Sequence, residues 1–367
     1  MNEKSRIVRL KSFFFDEWLL SLSLVSIVVL SLYLRQLPSY EPRQLVPIFL
    51  LWVLFIAVKG IEESGYLHIV ARYLGQKHLL TPRLVVLTFL LSVFLTIDVT
   101  LVTLLPLLLT MRIKEKNSLI LLVAFTAHAG AALTPFGTPQ NLFIFSFYQV
   151  AIMDFIREIA PFSLGLFTLF LLLSFFIPVT PDSAVLSQKS PKTDRQLGIL
   201  YLLLLIIGIL AVLRICPWYV GWIVPLSALL WAPKTLRVDY ALLLTFLLFL
   251  GLANEAQTLL SQILAHPVHI FMLSSILSQF ISNVPTTLLL HKFTPTWDAL
   301  LWGTNVGGFG TLVAALANLI TYRIYAKYET REASALFLTQ MVFWGFIVYA
   351  IGTLLYFTLL YAGVIHV

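Results

Sequence analysis

Long apolar runs alternate with short polar stretches along almost the whole chain. They lie at about 18–34, 44–58, 84–111, 118–153, 161–178, 197–215, 217–231, 239–253, 268–291, 297–322 and 336–360. A helix of about 20 residues crosses the ~30 Å hydrocarbon layer of a bilayer, so most of these runs predict one spanning helix each. Four depart from that template. Runs 84–111, 118–153, 268–291 and 297–322 each carry a polar or Gly/Pro interruption near the middle. Bare backbone groups are costly in lipid, so interruptions at that depth have to face protein or a watery cavity.

Composition sharpens the picture. Of 367 residues, 59% are hydrophobic and only 11% charged, against about 25% charged in an ordinary soluble domain. A soluble enzyme, a nucleic-acid binder, a disordered chain and a coiled coil are all excluded. The lone Cys216 leaves no disulfide framework and no multi-cysteine metal site. The first apolar run follows Lys4, Arg6, Arg9 and Lys11 and has no small-residue cleavage site after it, so it reads as a retained helix rather than a signal peptide.

Charge placement then orients the chain. If 84–111 enters and leaves by the same face, nineteen of the 24 Lys and Arg lie on the cytoplasmic side, with Arg35, Arg43, Arg157, Arg214 and Lys292 outside. A full crossing there gives eleven against thirteen. The positive-inside bias selects the hairpin. With 268–291 treated alike, the expected fold is an all-α integral membrane protein with about nine full transmembrane crossings plus two re-entrant helical hairpins. The amino terminus is cytoplasmic and the carboxyl terminus outside.

The same topology exposes a repeat. Leu54–Gly65 leads into hairpin 84–111 and then the broken helix 118–153; Leu248–Gln257 leads into hairpin 268–291 and the broken helix 297–322. The hairpins enter from opposite faces, so the halves are inverted-topology repeats. The expected divisions are 1–43 (tail and first helix), 44–178 (first repeat), 179–196 (cytoplasmic linker), 197–238 (linking helices) and 239–367 (second repeat). Inverted repeats with interrupted helices are the build of many secondary transporters, with the solute held at the bilayer midplane.

The interruptions carry the chemistry. Hairpin one turns at Thr96–Thr100, around Asp98; hairpin two turns at Ser282–Thr287, through Asn283 and Thr286. The first broken helix reads His128-Ala129-Gly130, then Thr134-Pro135-Phe136-Gly137-Thr138-Pro139-Gln140-Asn141. Two prolines, and a glycine able to take positive φ, predict a stop near Leu133. Thr138 as N-cap and Pro139 at the first helical position predict a restart. The second break is Asn305-Val306-Gly307-Gly308-Phe309-Gly310-Thr311, whose glycines permit close backbone approach. Half-helices starting at the midplane aim free N–H groups and a partial positive charge at a common point, which suits a small anion. Unwound carbonyls and side-chain oxygens are candidates for a coupling cation beside it.

The strings KGIEESG at 59–65, FLTIDVT at 94–100, LTPFGTPQN at 133–141, SQFISNVPTTLLL at 278–290 and NVGGFGTLVAALANLI at 305–320 resemble the ArsB/NhaD-type ion transporter superfamily. That group includes citrate and dicarboxylate carriers, and the strings are most similar to its YbiR-like bacterial inner-membrane branch. The resemblance implies an inner-membrane homodimer with a scaffold part and a moving transport part. It points to Thr96, Asp98, Gly137, Gln140 and Asn141 in one half, and to Ser282, Asn283, Asn305, Gly307, Gly308 and Thr311 in the other. The breaks themselves add His128, Thr134, Thr138 and Thr286. The family usually has Asn where this chain has Ile97, His128 and Thr138. Ile cannot ligate Na⁺, so H⁺ coupling through Asp98 and His128 is expected, with Ser282, Asn283 and Asn305 as a candidate Na⁺ site. No cofactor and no tightly bound metal is expected.

Plainer readings stand beside these. Asp98 can cap its half-helix, His128 can be a packing residue, and Lys59 with Glu62 can form a local pair at a span end. Gly307, Gly308 and Gly310 can be close-packing glycines. Trp218, Trp222 and Trp231 fit interfacial anchors, and His266 and His269 lack the company a metal site wants. The favoured function is secondary active transport of a small anion of the citrate, dicarboxylate, sulfate or arsenite class, driven by H⁺ or Na⁺. Na⁺/H⁺ antiport is the alternative, then a passive channel. An intramembrane enzyme ranks last, since no Gly-x-Ser-x-Gly or His-Glu-x-x-His motif occurs.

Overall fold

The structure, a computed structural model, describes residues 17–65, 80–110, 115–177, 194–259 and 266–365. The basic tail Met1–Lys11, the clusters Arg72/Lys77 and Arg112/Lys114, and most of the 179–196 linker lie outside the described residues. Fifteen α-helices carry the rest: α1 (Trp18–Leu34), α2 (Pro42–Glu63), α3 (Leu80–Phe94), α4 (Ile97–Thr110), α5 (Lys116–Ala132), α6 (Pro139–Phe147), α7 (Ile152–Ser174), α8 (Arg195–Val212), α9 (Ile223–Trp231), α10 (Tyr240–Leu259), α11 (Pro267–Ile281), α12 (Asn283–Leu290), α13 (Trp297–Val306), α14 (Leu316–Tyr328) and α15 (Arg331–Tyr361). Among the described residues, five stretches are long and apolar enough to cross a bilayer: α2, α7, α8, Pro233–Gln257 and α15. The protein is a multi-pass, all-helical membrane protein. The other expected crossings are short (α1, and α9 behind its 3₁₀ turn Trp218–Trp222) or broken.

Boundaries follow local chemistry. Pro42 opens α2, and a capping box between Glu41 and Gln44 satisfies its first N–H groups. The first broken helix, expected over 118–153, is formed by α5 and α6 and ends earlier than expected. It stops at Phe147, and 152–160 belong to α7, which runs on through Pro161. The break falls at Gln149, held at φ +56°, while a proline inside a helix is tolerated where neighbours re-satisfy the freed carbonyl. The hairpin tips are tighter than expected. Only Leu95 and Thr96 are non-helical in the first, so Asp98 and Thr100 lie in the first turn of α4. In the second only Ser282 separates α11 from α12.

Side-chain contacts fix how the hairpins sit. Thr81 Oγ1 at the start of α3 donates to Ile177 O (2.6 Å), and Lys116 Nζ at the start of α5 donates to Leu109 O (3.2 Å). Both arms of hairpin one therefore begin and end where α5 begins, and its tip meets the break beyond α5, with Ile97 N donating to Gly137 O (3.2 Å). Hairpin two meets the break before α14 in the same way, through Asn283 N and Ala314 O (2.9 Å). Its open end lies with Tyr148 at the end of α6, whose hydroxyl donates to His291 O (3.0 Å). The two hairpins thus come in from opposite ends of the helix bundle. α1 packs on α10 and α8 packs on α2, so each helix outside the expected repeats lies against the long helix of the other half.

Further pairings match between halves. Thr134 Oγ1 donates to Val93 O (3.1 Å) and Thr311 Oγ1 to Gln279 O (2.8 Å). Thr100 Oγ1 bonds Thr96 O (3.2 Å) and Thr286 Oγ1 bonds Ser282 O (2.8 Å). Gly130 of α5 lies on Phe89 and Ser92 of α3, and Gly307 lies on Ser275 and Ser278 of α11. A Cβ at Gly130 would come within 2.6 Å of Phe89 O. Gly130→Leu should therefore cost about 3 kcal/mol through overpacking, read as early thermal unfolding in detergent. Gly165→Leu, at an exposed position whose nearest neighbour is the Leu355 side chain at 3.5 Å, should unfold with the parent.

Candidate functional site

Where the two tips meet the two breaks there is a cavity of about 110 Å³, room for several waters. The first half lines it with Ile97, Asp98, His128, Thr138, Pro139 and Gln140. The second supplies Ser282, Asn283, Val284, Pro285 and the restart Ala315–Ala317. Its mouth lies where α1 and α10 begin, among Glu17, Trp18 and Asp239, with Arg323 two turns into α14.

The backbone at both breaks is held by side-chain amides. Asn141 Nδ2 donates to Ala132 O (3.1 Å), Thr134 O (3.3 Å) and Ala131 O (3.4 Å). Asn318 Nδ2 does the same for Gly308 O and Thr311 O, both at 3.0 Å. Gln279 Nε2 donates to Gly307 O (2.8 Å) and Phe309 O (2.9 Å), while its Oε1 accepts from Thr311 N (3.0 Å). Several of the unwound carbonyls thus already accept from protein donors. Gly308 needs to be glycine: a Cβ there would run into His128 Nε2 and Asn283 Nδ2. Gly137 does not adopt the positive φ anticipated for it; it is glycine because it lies against the Ala131 backbone.

Polar atoms left over are the side chains. His128 Nε2, Thr138 Oγ1, Gln140 Nε2 and Asn305 Oδ1 are buried without a hydrogen-bond partner among the described residues. Native structures pair almost all such atoms, and three of these four belong to residues that line the cavity. Thr138 does sit at the N-cap of α6, in extended conformation, but its hydroxyl makes no capping bond. Asp98 lies in the first turn of α4 and lines the cavity. It has no hydrogen bond or ion pair among the described residues, so the capping reading fails. The His128 ring packs on Phe309, with centroids 4.6 Å apart.

Of the expected site residues, Asp98, His128, Thr138, Gln140, Ser282 and Asn283 line the cavity. Thr96, Thr134, Gly137, Asn141, Thr286, Gly307, Gly308 and Thr311 form the frame around it through the contacts above. Asn305 bridges the halves, its Nδ2 donating to Asn141 Oδ1 at 2.8 Å. Arg323 of α14, just past the expected 297–322 segment, stands at the mouth and was not anticipated. Sequence reasoning also missed Asn318, Gln279 and Asp239. Asn318 was within reach, because the register that sets His128 opposite Asn305 also sets Asn141 opposite Asn318. Lys59 pairs with Glu62 at 3.0 Å, as the local reading expected.

A multi-pass helical protein whose interrupted helices close on a cavity with polar groups set in its wall is built as a membrane transport protein. The chain belongs to the citrate transporter family, which matches it over residues 13–302. It is similar to an uncharacterized transporter of Methanocaldococcus jannaschii, 32% identical over 317 residues, or 83% of this chain and 88% of that one. It is also similar to the inner membrane protein YbiR of Escherichia coli, 33% identical over 319 residues, covering 83% and 82% of the two chains.

Ser282 sits at φ +73°, ψ 154°, a region open almost only to glycine and costing on the order of 1–3 kcal/mol. Ser282→Gly should raise the unfolding temperature in detergent while reducing anion uptake. Ser282→Ala, which keeps the strain and loses the hydroxyl, should reduce uptake without that gain.

Proposed function

We propose that this protein is a secondary active transporter of a small anion of the citrate, dicarboxylate, sulfate or arsenite class, working in the cell's inner membrane by alternating access. One observation carries the reading: both hairpin tips and both helix restarts line a single cavity. On this reading the two hairpins are re-entrant, each reaching the bilayer middle from its own face, and the halves are inverted repeats. The arms of hairpin one, 15 and 14 residues, are about 22 Å long at 1.5 Å per residue, short of a full crossing. The amino terminus faces the cytoplasm, and two copies assemble, each with its own site.

The helix restarts at Pro139 and Leu316 aim N–H groups at the anion. The hydroxyls of Thr138 and Ser282 and the amides of Gln140 and Asn283 complete its shell. Coupling is to H⁺, carried by Asp98 with His128 near it. Asp98 is a cavity-lining carboxylate with no donor among the described residues, and intramembrane carboxylates are functional by default. Na⁺ coupling would rest on Ser282, Asn283 and Asn305, because the carbonyls beside them are taken up by Gln279 and Asn318.

A second reading has its own support. Glu17, Asp98 and Asp239 outnumber Arg323 around the cavity, a balance that favours a cation and hence Na⁺/H⁺ exchange. Uptake into proteoliposomes separates the two. A panel of citrate, succinate, sulfate and arsenite is offered under imposed pH or Na⁺ gradients. The expected result is accumulation of one anion class under an inward H⁺ gradient, reduced at least tenfold in Asp98→Asn while anion exchange persists. Strict Na⁺ dependence, or pH-driven accumulation that survives Asp98→Asn, would reject H⁺ coupling. Na⁺/H⁺ flux without net anion movement would favour the exchanger.

A further inference from the structure

The cavity has its mouth among the first residues of α1 and α10, and a separate polar cluster holds the opposite end. There α12 finishes at His291 and Lys292. His291 is buried; its Nδ1–H donates to Leu288 O (2.7 Å), which leaves Nε2 to accept from Gln44 Nε2 (3.0 Å). Gln44, buried on α2, also exchanges bonds with Asn254 of α10 at 2.8 and 3.0 Å. Lys292 Nζ pairs with Glu41 at 2.5 Å.

The side chains that hydrogen-bond or pair with those of His291 and Lys292, with Asn254 behind Gln44, stand on α2, α10 or the residue that caps α2. The groups they hold stand at the end of hairpin two, where Tyr148 at the end of α6 bonds main-chain oxygens. α12 is eight residues, about 12 Å of helix, and its other end, Asn283–Pro285, lines the cavity. The cluster therefore acts on the far end of the same short helix whose tip forms the site. In α10, Asp239 at its start and Phe246 line the cavity while Asn254 reaches the cluster, so one helix borders both the open end and the held one.

We infer that Glu41–Lys292 and Gln44–His291–Asn254 are the gating contacts of this protein. In the present state they clasp hairpin two to α2 and α10 at the end away from the mouth. They have to part before the cavity can open at the other end. The inference rests on the alternating access proposed above and adds the residues that hold one of its states.

Two measurements test it. In a Cys216→Ser background, Glu41→Cys and Lys292→Cys are joined by a short, reductively cleavable bifunctional thiol reagent. Uptake of the transported anion should fall at least tenfold on joining and return on reduction; uptake at the unjoined rate would overturn the inference. The second needs no substrate. Leu242→Cys, on the cavity wall, is labelled with a charged, impermeant thiol reagent from the mouth side, alone and with Lys292→Ala or Gln44→Leu. Loosening the clasp should slow labelling threefold or more, as molecules leave this state. An unchanged rate in both variants would overturn it. If no anion in the panel is carried, labelling alone decides, so failure of the gate is told apart from failure of the substrate reading.

Discussion

Interrupting a helix inside an apolar body strips backbone groups of their partners, and the centre of this protein is organised around replacing them. A buried group left bare costs on the order of 1–3 kcal/mol, and each break exposes several. Three side-chain amides do most of the replacing. Asn141 covers the first break, and Asn318 and Gln279 share the second. The hairpin tips finish the job with Ile97 N on Gly137 O and Asn283 N on Ala314 O. Tip and break are therefore one unit: neither can hold its conformation in an apolar setting without the other.

Much of that frame was legible in the sequence, because interruptions in a strongly apolar chain are conspicuous. Pro135, Gly137, Pro139 and the glycines at 307, 308 and 310 marked the breaks. Thr138 and Pro139 gave the restart of α6 to the residue. Tip length was not legible: the polar strings Thr96–Thr100 and Ser282–Thr287 look like loops, yet their later residues are the first turns of α4 and α12. Polarity at a helix start and polarity in a turn read alike in one dimension. Asp239 and Arg323 were hidden for another reason. They sit near span ends, where charge is ordinary, and only the three-dimensional path of α10 and α14 brings them to the cavity mouth.

The halves share this backbone pairing but not their chemistry. At tip one the residues after Thr96 are Ile97 and Asp98; at tip two Asn283 and Val284 follow Ser282. Beyond the first break come Thr138, Pro139 and Gln140, and beyond the second Ala315, Leu316 and Ala317. One half thus brings a carboxylate, an imidazole and a rigid proline-bounded break. The other brings neutral hydroxyl and amide groups and a glycine loop that would wander without Gln279. Where the second half has Gln279 the first has Val93, which gives its break no amide; there two prolines limit the chain instead.

That division follows from how the frame is held. Because main-chain pairing, and not the lining side chains, fixes where tips and breaks meet, the lining residues of each half are free to differ without loss of fold. Asn305 Nδ2 on Asn141 Oδ1 ties the two breaks together, and Gly308 lies against both His128 and Asn283. On the proposed reading, a proton taken up at His128 and a solute held at Asn283 are then separated by little more than Gly308. Protonating one group changes the field at the other directly, with no long chain of contacts needed to connect them. Coupling in such a site is a matter of distance, and the bridge between the breaks sets that distance.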